Sequence, residues 1–282
     1  MCVARKSTWL LTPKLVWNSL LRDCRIHALK RKDIICTSIT MLLFVEIFSG
    51  EGKLCKAMAR LGYHIVAWDI VGGAQFDLDI SANRQSLLRL VGSADMVHLG
   101  PPCSSFSIAR RSAAPRSRQF PWGKPGLCLA DQLRVDHGNR MLLICCTIIR
   151  LLCRQGKPVS LENPTSSRMF ICGCLTRLIH KWSGSVVKTV CCAFGTPWMK
   201  ATSFCVWNLP QAQALHRKCA RFDSCCQYSG IPHQVLQGNG PGGVPWTRIA
   251  QAYPAKLCGT YARLACSLHL GAFVHRLEQL GE

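Results

Sequence analysis

Acidic side chains are scarce in this sequence. Of 282 residues, 14 are Asp or Glu against 35 Lys or Arg, a formal net charge of +21. A surplus of that size calls for a partner or for extensive solvation. Nucleic acid fits best, because neutralising phosphates and releasing their counterions drives such association. Long apolar runs are missing too. The longest, 141–149, falls well short of the roughly 20 residues that a membrane-spanning helix needs. No secretory leader is legible either: residues 1–33 carry eight Lys or Arg and two Asp, with brief apolar runs such as Trp9-Leu10-Leu11. No internal repeat is found. What the chain has in quantity is apolar material, 49% of its residues, which suits a packed core and argues against disorder. Its 19 cysteines are scattered through apolar segments such as 142–149, where they read as small buried hydrophobes in a reducing compartment. These features predict a protein of the nucleus in a eukaryote, or of the cytoplasm otherwise, that is not secreted, has no membrane partner and acts as a monomer.

Because acids are rare, their positions inform. Asp69, Asp95 and Glu162 fall at the edges of predicted strands, Glu46 lies within the first, and Asp77 and Asp79 follow the second. Solvated carboxylates favour helix surfaces; a set at strand ends points to a ligand crevice.

Strands are predicted at 42–48, 64–69, 95–100 and 159–162, with two more strand-like pieces in 186–207. Helices are predicted at 53–62, 82–91, 131–153 and 248–266. This alternation implies an α/β fold with a doubly wound, mostly parallel sheet, whose ligands bind at the carboxyl ends of the strands. Residues 1–38 read as a basic extension outside the fold, with Met41 a plausible start. Residues 39–207 form the main domain, 208–245 a small irregular Cys/His/Gly-rich region, and 246–282 a helix returning to the main domain.

Three motifs sit at strand ends. Glu46-Ile-Phe-Ser-Gly-Glu-Gly52 runs from a strand through a glycine turn into a helix, and glycines let a backbone approach a ligand closely. Asp69 ends the next strand, where an acid suits a ribose diol. Gly100-Pro-Pro-Cys-Ser-Ser-Phe-Ser107 follows another strand and presents Cys103 on a proline-stiffened turn. Leu161-Glu-Asn-Pro164 ends a further one.

In order and spacing these motifs resemble the cytosine-5 DNA methyltransferases. Phe48-Ser-Gly-Glu-Gly52 looks like the family's cofactor loop, Pro102-Cys103 like its nucleophile motif, and Glu162-Asn163-Pro164 like its Glu-Asn motif. Phe194-Gly-Thr-Pro197, with Phe204 and Val206 at matching offsets, looks like a later motif, and Tyr253-Pro-Ala-Lys-Leu257 is similar to the segment that completes the cofactor site. The resemblance covers about 42–207. It implies a Rossmann-like fold and S-adenosylmethionine as cofactor, held by Phe48, Ser49, Gly50, Gly52, Asp69, Asp79 and Pro101. It also implies catalysis by Cys103, which adds to carbon 6 of cytosine, and by Glu162, which holds the ring. Carbon 5 then takes the methyl group. Arg110, Arg111, Arg116 and Arg118, with Lys200, are expected to contact nucleic acid and to lower the Cys103 pKa, around a base flipped from its helix. The family's Gln-x-Arg-x-Arg is replaced by Trp198-Met-Lys-Ala-Thr202, which keeps one cation. Three readings stay open: a DNA methyltransferase, a tRNA methyltransferase of the same fold that the small recognition region suits, and an inactive nucleic-acid-binding relic that the missing arginines favour.

Cys219, Cys225, Cys226 and His233, with His216 nearby, are zinc-ligand types, but they lack a clean Cys-x-x-Cys pair. They read as loose thiols of a cysteine-rich chain, and no metal is expected.

Overall fold

The computed structural model describes residues 42–108, 114–222 and 224–280; the expected extension, Arg110 and Arg111 lie outside them. The elements follow in order as β1 (Leu43–Ile47), α1 (Lys53–Ala59), β2 (His64–Trp68), α2 (Ser81–Ser93), β3 (Met96–Leu99), α3 (Leu129–Arg154), β4 (Val159–Pro164), α4 (Gly173–Lys181), β5 (Ser185–Val190) and β6 (Ala201–Trp207). Two-residue strands β7 (Arg221–Phe222) and β8 (Cys225–Cys226), a short α5 (Trp246–Ile249) and α6 (Ala255–Leu280) complete the chain.

Six strands form one sheet in the order β2-β1-β3-β4-β6-β5. The first four are parallel, and β6 runs antiparallel to both of its neighbours. This is the expected doubly wound, Rossmann-like sheet with its mostly parallel character. Its alternating side chains are buried on both faces. Val45, Ile47, Val97, Leu99, Val159 and Leu161 pack with Leu87 and Val91 of α2, Leu142 and Ile149 of α3, and Leu175 and Leu178 of α4. Phe44, Met96, Phe204 and Val206 face the other way, onto Leu54 and Met58 of α1 and Leu257 and Tyr261 of α6. The chain leaves β1 for β2 on one side and returns to β3 on the other. The strand order therefore reverses between β1 and β3, the place where such sheets open a crevice.

Three differences from the sequence reading have physical causes. Helix α4 is absent from the sequence assignment because it is short, and it forms by burying Leu175 and Leu178 against α3. The last helix is split near Pro254, which has no amide to continue a helix and instead stands just ahead of α6. Strand β6 is reversed because only 191–200 join it to β5, too short a link for a parallel crossover. Reversal puts the start of β6 beside the end of β4, with Thr202 opposite Pro164.

Every described cysteine is a free thiol, and Cys55, Cys145, Cys146, Cys153, Cys205 and Cys258 sit in the two cores as expected. Among the described residues no helix is long and apolar enough to cross a membrane.

Candidate active site

The loop leaving β1 holds three residues with left-handed backbone within five positions: Phe48 (φ 61°), Gly50 (φ 52°) and Gly52 (φ 63°). Glycine adopts that conformation freely, whereas Phe48 does so at a strain on the order of 1 kcal/mol or more. Two backbone bonds compensate: the Phe48 amide donates to Trp68 O at 2.8 Å, and the Gly52 amide to Ser49 O at 2.9 Å. Asp69, at the end of β2, accepts the Gly50 amide at 2.8 Å and the Val71 amide at 3.0 Å. It thus ties the loop to the neighbouring strand. Beneath the loop lies Glu46, 1% exposed, whose carboxylate accepts the Cys55 amide at 2.8 Å. Burial lifts the Glu46 pKa to about 7, against the pull of Cys55 and with the help of the nearby Asp69 charge.

The turn after β3 brings Cys103 to the same edge. The Gly100 amide donates to Ile47 O at 3.0 Å, extending the ladder by one step. The Cys103 carbonyl then accepts the Phe106 and Ser107 amides at 3.0 and 2.8 Å, which curls 103–107 into a helical turn. Asn163 locks this turn to β4: its side-chain amide donates to Pro101 O at 2.9 Å, inside the protein. Cys103 is half-buried. Burial pushes its thiol up, Lys200 pulls it down, and Glu162 pushes it up again. The expected lowering of this pKa is therefore not what the fold delivers, since desolvation outweighs the cation.

Arg116 corrects a second expectation. It is 2% exposed and does not reach phosphates. Its guanidinium donates to Pro121 O, Asn139 Oδ1, Ser105 Oγ and Val135 O, and lies 3.8 Å from the Phe106 ring centroid. It fastens the Cys103 turn to α3. A Cβ at Gly138 of α3 would stand 2.5 Å from Ser105 Oγ and 3.0 Å from the guanidinium, so this contact requires glycine. Arg118 is exposed. Lys200 donates to Ala250 O at 3.1 Å, which ties the turn before β6 to α5. Asp79, expected at the cofactor, is instead held by Arg140 at 2.9 Å and His137 at 3.1 Å, and Arg140 keeps its pKa low.

Glu162 is the end of a buried chain of hydrogen bonds. One carboxylate oxygen accepts the Thr202 hydroxyl; the other accepts the Tyr253 hydroxyl at 3.0 Å. Tyr253 Oη lies 3.0 Å from His98 Nε2, His98 Nδ1 lies 2.7 Å from Ser160 Oγ, and Ser160 Oγ lies 2.5 Å from Tyr261 Oη. The carboxylate sets the direction. Tyr253 donates to Glu162, so it accepts from His98 Nε2–H. His98 Nδ1 then accepts from Ser160, and Ser160 from Tyr261. His98 is fully buried, and burial drops its pKa to about 3, so it stays neutral. Sequence reasoning missed His98, Ser160, Thr202 and Tyr261 as parts of the site. One signal existed: His98 is a lone polar residue inside an apolar strand, and it shares the β1–β3 register with Glu46.

Of the four Cys/His candidates, Cys219, Cys226 and His233 converge, while Cys225 does not join them.

The chain is similar to three solved structures. A methyltransferase from Entamoeba histolytica, EhMeth, has 13% identity and a TM-score of 0.36, over 59% of this chain and 52% of that one. A candidate DNA modification methyltransferase encoded within an Escherichia coli prophage has 14% identity and a TM-score of 0.36, over 71% and 56%. A variant of DNMT2 from Spodoptera frugiperda has 15% identity and a TM-score of 0.36, over 70% and 58%. The chain thus spans between half and three fifths of each of them. No family model and no curated protein matches it.

Two outcomes follow from this geometry. Because folding raises the Glu46 pKa from 4.5 to about 7, the folded state holds that proton more tightly than the unfolded chain. Its contribution is complete below about pH 4.5 and is lost as pH rises through about 7, a change on the order of 3 kcal/mol. Urea unfolding of the parent and of Glu46→Gln across that range should show the difference between them shrinking by this amount at low pH; parallel curves would dismiss the effect. Gly138→Ala should destabilise the chain by roughly 1–3 kcal/mol through overpacking against Ser105 and Arg116, read as a lowered urea midpoint.

Proposed function

We propose that this chain methylates carbon 5 of cytosine in DNA, with S-adenosylmethionine as the methyl donor and Cys103 as a covalent nucleophile. The observation that carries the reading is the Asn163–Pro101 hydrogen bond. It fixes the cysteine turn after β3 to the Glu-Asn turn at the end of β4, beside the glycine loop after β1. This supports the reading, because Cys103, Glu162 and the loop then stand at the ends of the neighbouring strands β3, β4 and β1.

The residues at the loop fit the cofactor. No atom lies within 4 Å of where a Cβ would stand at Gly50, and at Gly52 the nearest is Cys55 Cβ at 4.0 Å, so a ligand has room to approach the backbone there. Phe48, Ser49 and Pro101 border the same loop, and Asp69 closes it from β2. S-adenosylmethionine, bound there, supplies a methyl group made electrophilic by its sulfonium.

The chain's own residues do the rest. Cys103 adds as thiolate to carbon 6, and carbon 5 becomes the nucleophile. Once carbon 5 is methylated, a base takes its proton, the ring double bond re-forms and the Cys103–carbon 6 bond breaks. Glu162 accepts from the exocyclic amine and from the proton that ring nitrogen 3 takes up as Cys103 adds, and Tyr253 and Thr202 fix both of its oxygens in place. Cys103 enters this cycle as a half-buried thiol, which gives up its proton before it adds. Lys200 is the positive charge that favours its ionisation, in the stretch where the family carries arginines. Thr202 closes that stretch by binding Glu162, so the carboxylate keeps a partner there despite the lost arginines. Exposed Arg118 and the overall charge suit a phosphate backbone. A tRNA substrate is favoured by one observation: 208–245 offer little folded surface for reading a duplex.

Oligonucleotides carrying 5-fluorocytosine test the mechanism, since fluorine cannot leave as a proton does. DNA should form a covalent adduct with the parent only when cofactor is present, and Cys103→Ser should form none. Tyr253→Phe should slow adduct formation roughly tenfold or more, as expected for a buried carboxylate that loses one donor. An adduct on tRNA alone moves the substrate to RNA. No adduct and no transferred label on either, despite binding, leaves the relic.

A further inference from the structure

We propose that Cys192, Cys219, Cys226 and His233 bind one structural zinc ion that pins the 216–236 segment to the turn between β5 and β6. This goes beyond the methyl-transfer reading and does not depend on it. The four ligand atoms all lie within 4.8 Å of one another. A tetrahedral site with Zn–S about 2.3 Å and Zn–N about 2.05 Å requires sulfurs about 3.8 Å apart and sulfur to nitrogen about 3.6 Å. Cys219 Sγ lies 3.8 Å from Cys226 Sγ and 3.7 Å from His233 Nε2. Three thiols and one imidazole make a closed Cys3His set, the type that binds zinc structurally with no open position.

Three further observations support it. The Tyr228 amide points at Cys226 Sγ at 3.4 Å, an outer bond of the kind that stabilises a metal-bound thiolate. The Gly230 amide donates to Cys226 O at 2.8 Å and the Cys226 amide to Ile231 O at 2.9 Å, so the turn that aims this sulfur is itself built. Most telling is the packing. Among the residues of 216–220 and 224–249, Cys226 alone is buried, while Tyr228, Ile231, Val235 and Val244 are exposed. A segment that buries a cysteine, exposes these four and covers Leu236, Trp246 and Ile249 in part has little hydrophobic reason to fold. Its regular structure amounts to the two-residue strands β7 and β8, a 3-10 turn at Pro241–Gly243 and the short α5. Segments this small without a core usually depend on a metal or disulfides.

Sequence spacing hid the site because one ligand is remote. Cys192 comes from the turn after β5, 27 positions before Cys219, and takes the place that spacing gave to Cys225. Cys225 neighbours Cys226 on β8, where successive side chains point to opposite faces. The site also adjoins the crevice: the Cys191 amide donates to Lys200 O at 3.0 Å, and the Gln234 amide to Pro197 O at 2.8 Å. Holding Cys192 and His233 together therefore frames the 191–200 turn that carries Lys200.

The full chain, produced without a histidine tag under reducing conditions, should contain one zinc per molecule by plasma mass spectrometry. Cobalt exchanged into it should give the intense visible bands of a tetrahedral thiolate site. Cys192→Ser, Cys226→Ser and His233→Ala should each lose the metal and become cleavable by protease within 208–245. Cys225→Ser should keep it. Because a ligand variant can fail to fold, the cobalt spectrum of the parent stands as an independent measure. Parent protein that binds neither zinc nor cobalt overturns the site. So does loss of metal in Cys225→Ser with retention in Cys192→Ser, or a Cys219–Cys226 disulfide in the chain as isolated under reducing conditions.

Discussion

A single oxygen, the Tyr253 hydroxyl, joins three parts of the chain that sequence keeps far apart. It reaches His98 in β3 and Glu162 in β4 from the segment just ahead of α6. Polar groups in a dry interior are tolerable only when each finds a partner, and here each does so through the next. Ser160 and Tyr261 close the far end of the chain, and Thr202 closes the near end. Removing any member costs its neighbour a hydrogen bond in the interior, so the network favours one docking of α6 on the sheet. The site's geometry and the packing of the last helix are in this sense one constraint.

The sequence makes plain what is local and periodic. Strands β1 to β4 follow from short apolar runs, and the three strand-end motifs follow from glycine, proline and scarce acids. Arg116 misleads because its neighbours suggest a basic loop, whereas Phe106, Ser105 and Gly138 draw it inward. His98, Tyr253 and Cys192 acquire their roles from residues between 27 and 155 positions away, which no local pattern encodes. Helix α4 is similar: its reason to exist is a surface of α3.

Several of the few acids are tied to the protein's own amides and hydroxyls, and two of them are buried. Glu46, Asp69, Asp95 and Glu162 all accept hydrogen bonds from the protein itself, Asp95 from the Leu43 amide at 2.7 Å. The carboxylates that would otherwise offset surface lysines and arginines are thus partly occupied as internal fasteners. The surplus of 35 cations over 14 acids therefore stays largely uncompensated at the surface, which gives long-range attraction to a polyanion that is sensitive to salt.

The reversed strand β6 has a consequence for solubility. Because β6 runs away from the crevice, the chain emerges from it at the far edge of the sheet and must travel back to reach Cys192. It does so alongside β5, the outermost strand: 210–215 pack there, and the Arg217 amide meets Lys188 O at 3.4 Å. An open edge strand is a template for another chain, and returning peptide that lies over it removes that hazard, as does a lysine within it. The small region near the crevice thereby also guards the sheet. Loosening it would expose β5, half-exposed Val186 included, to pairing with a second copy.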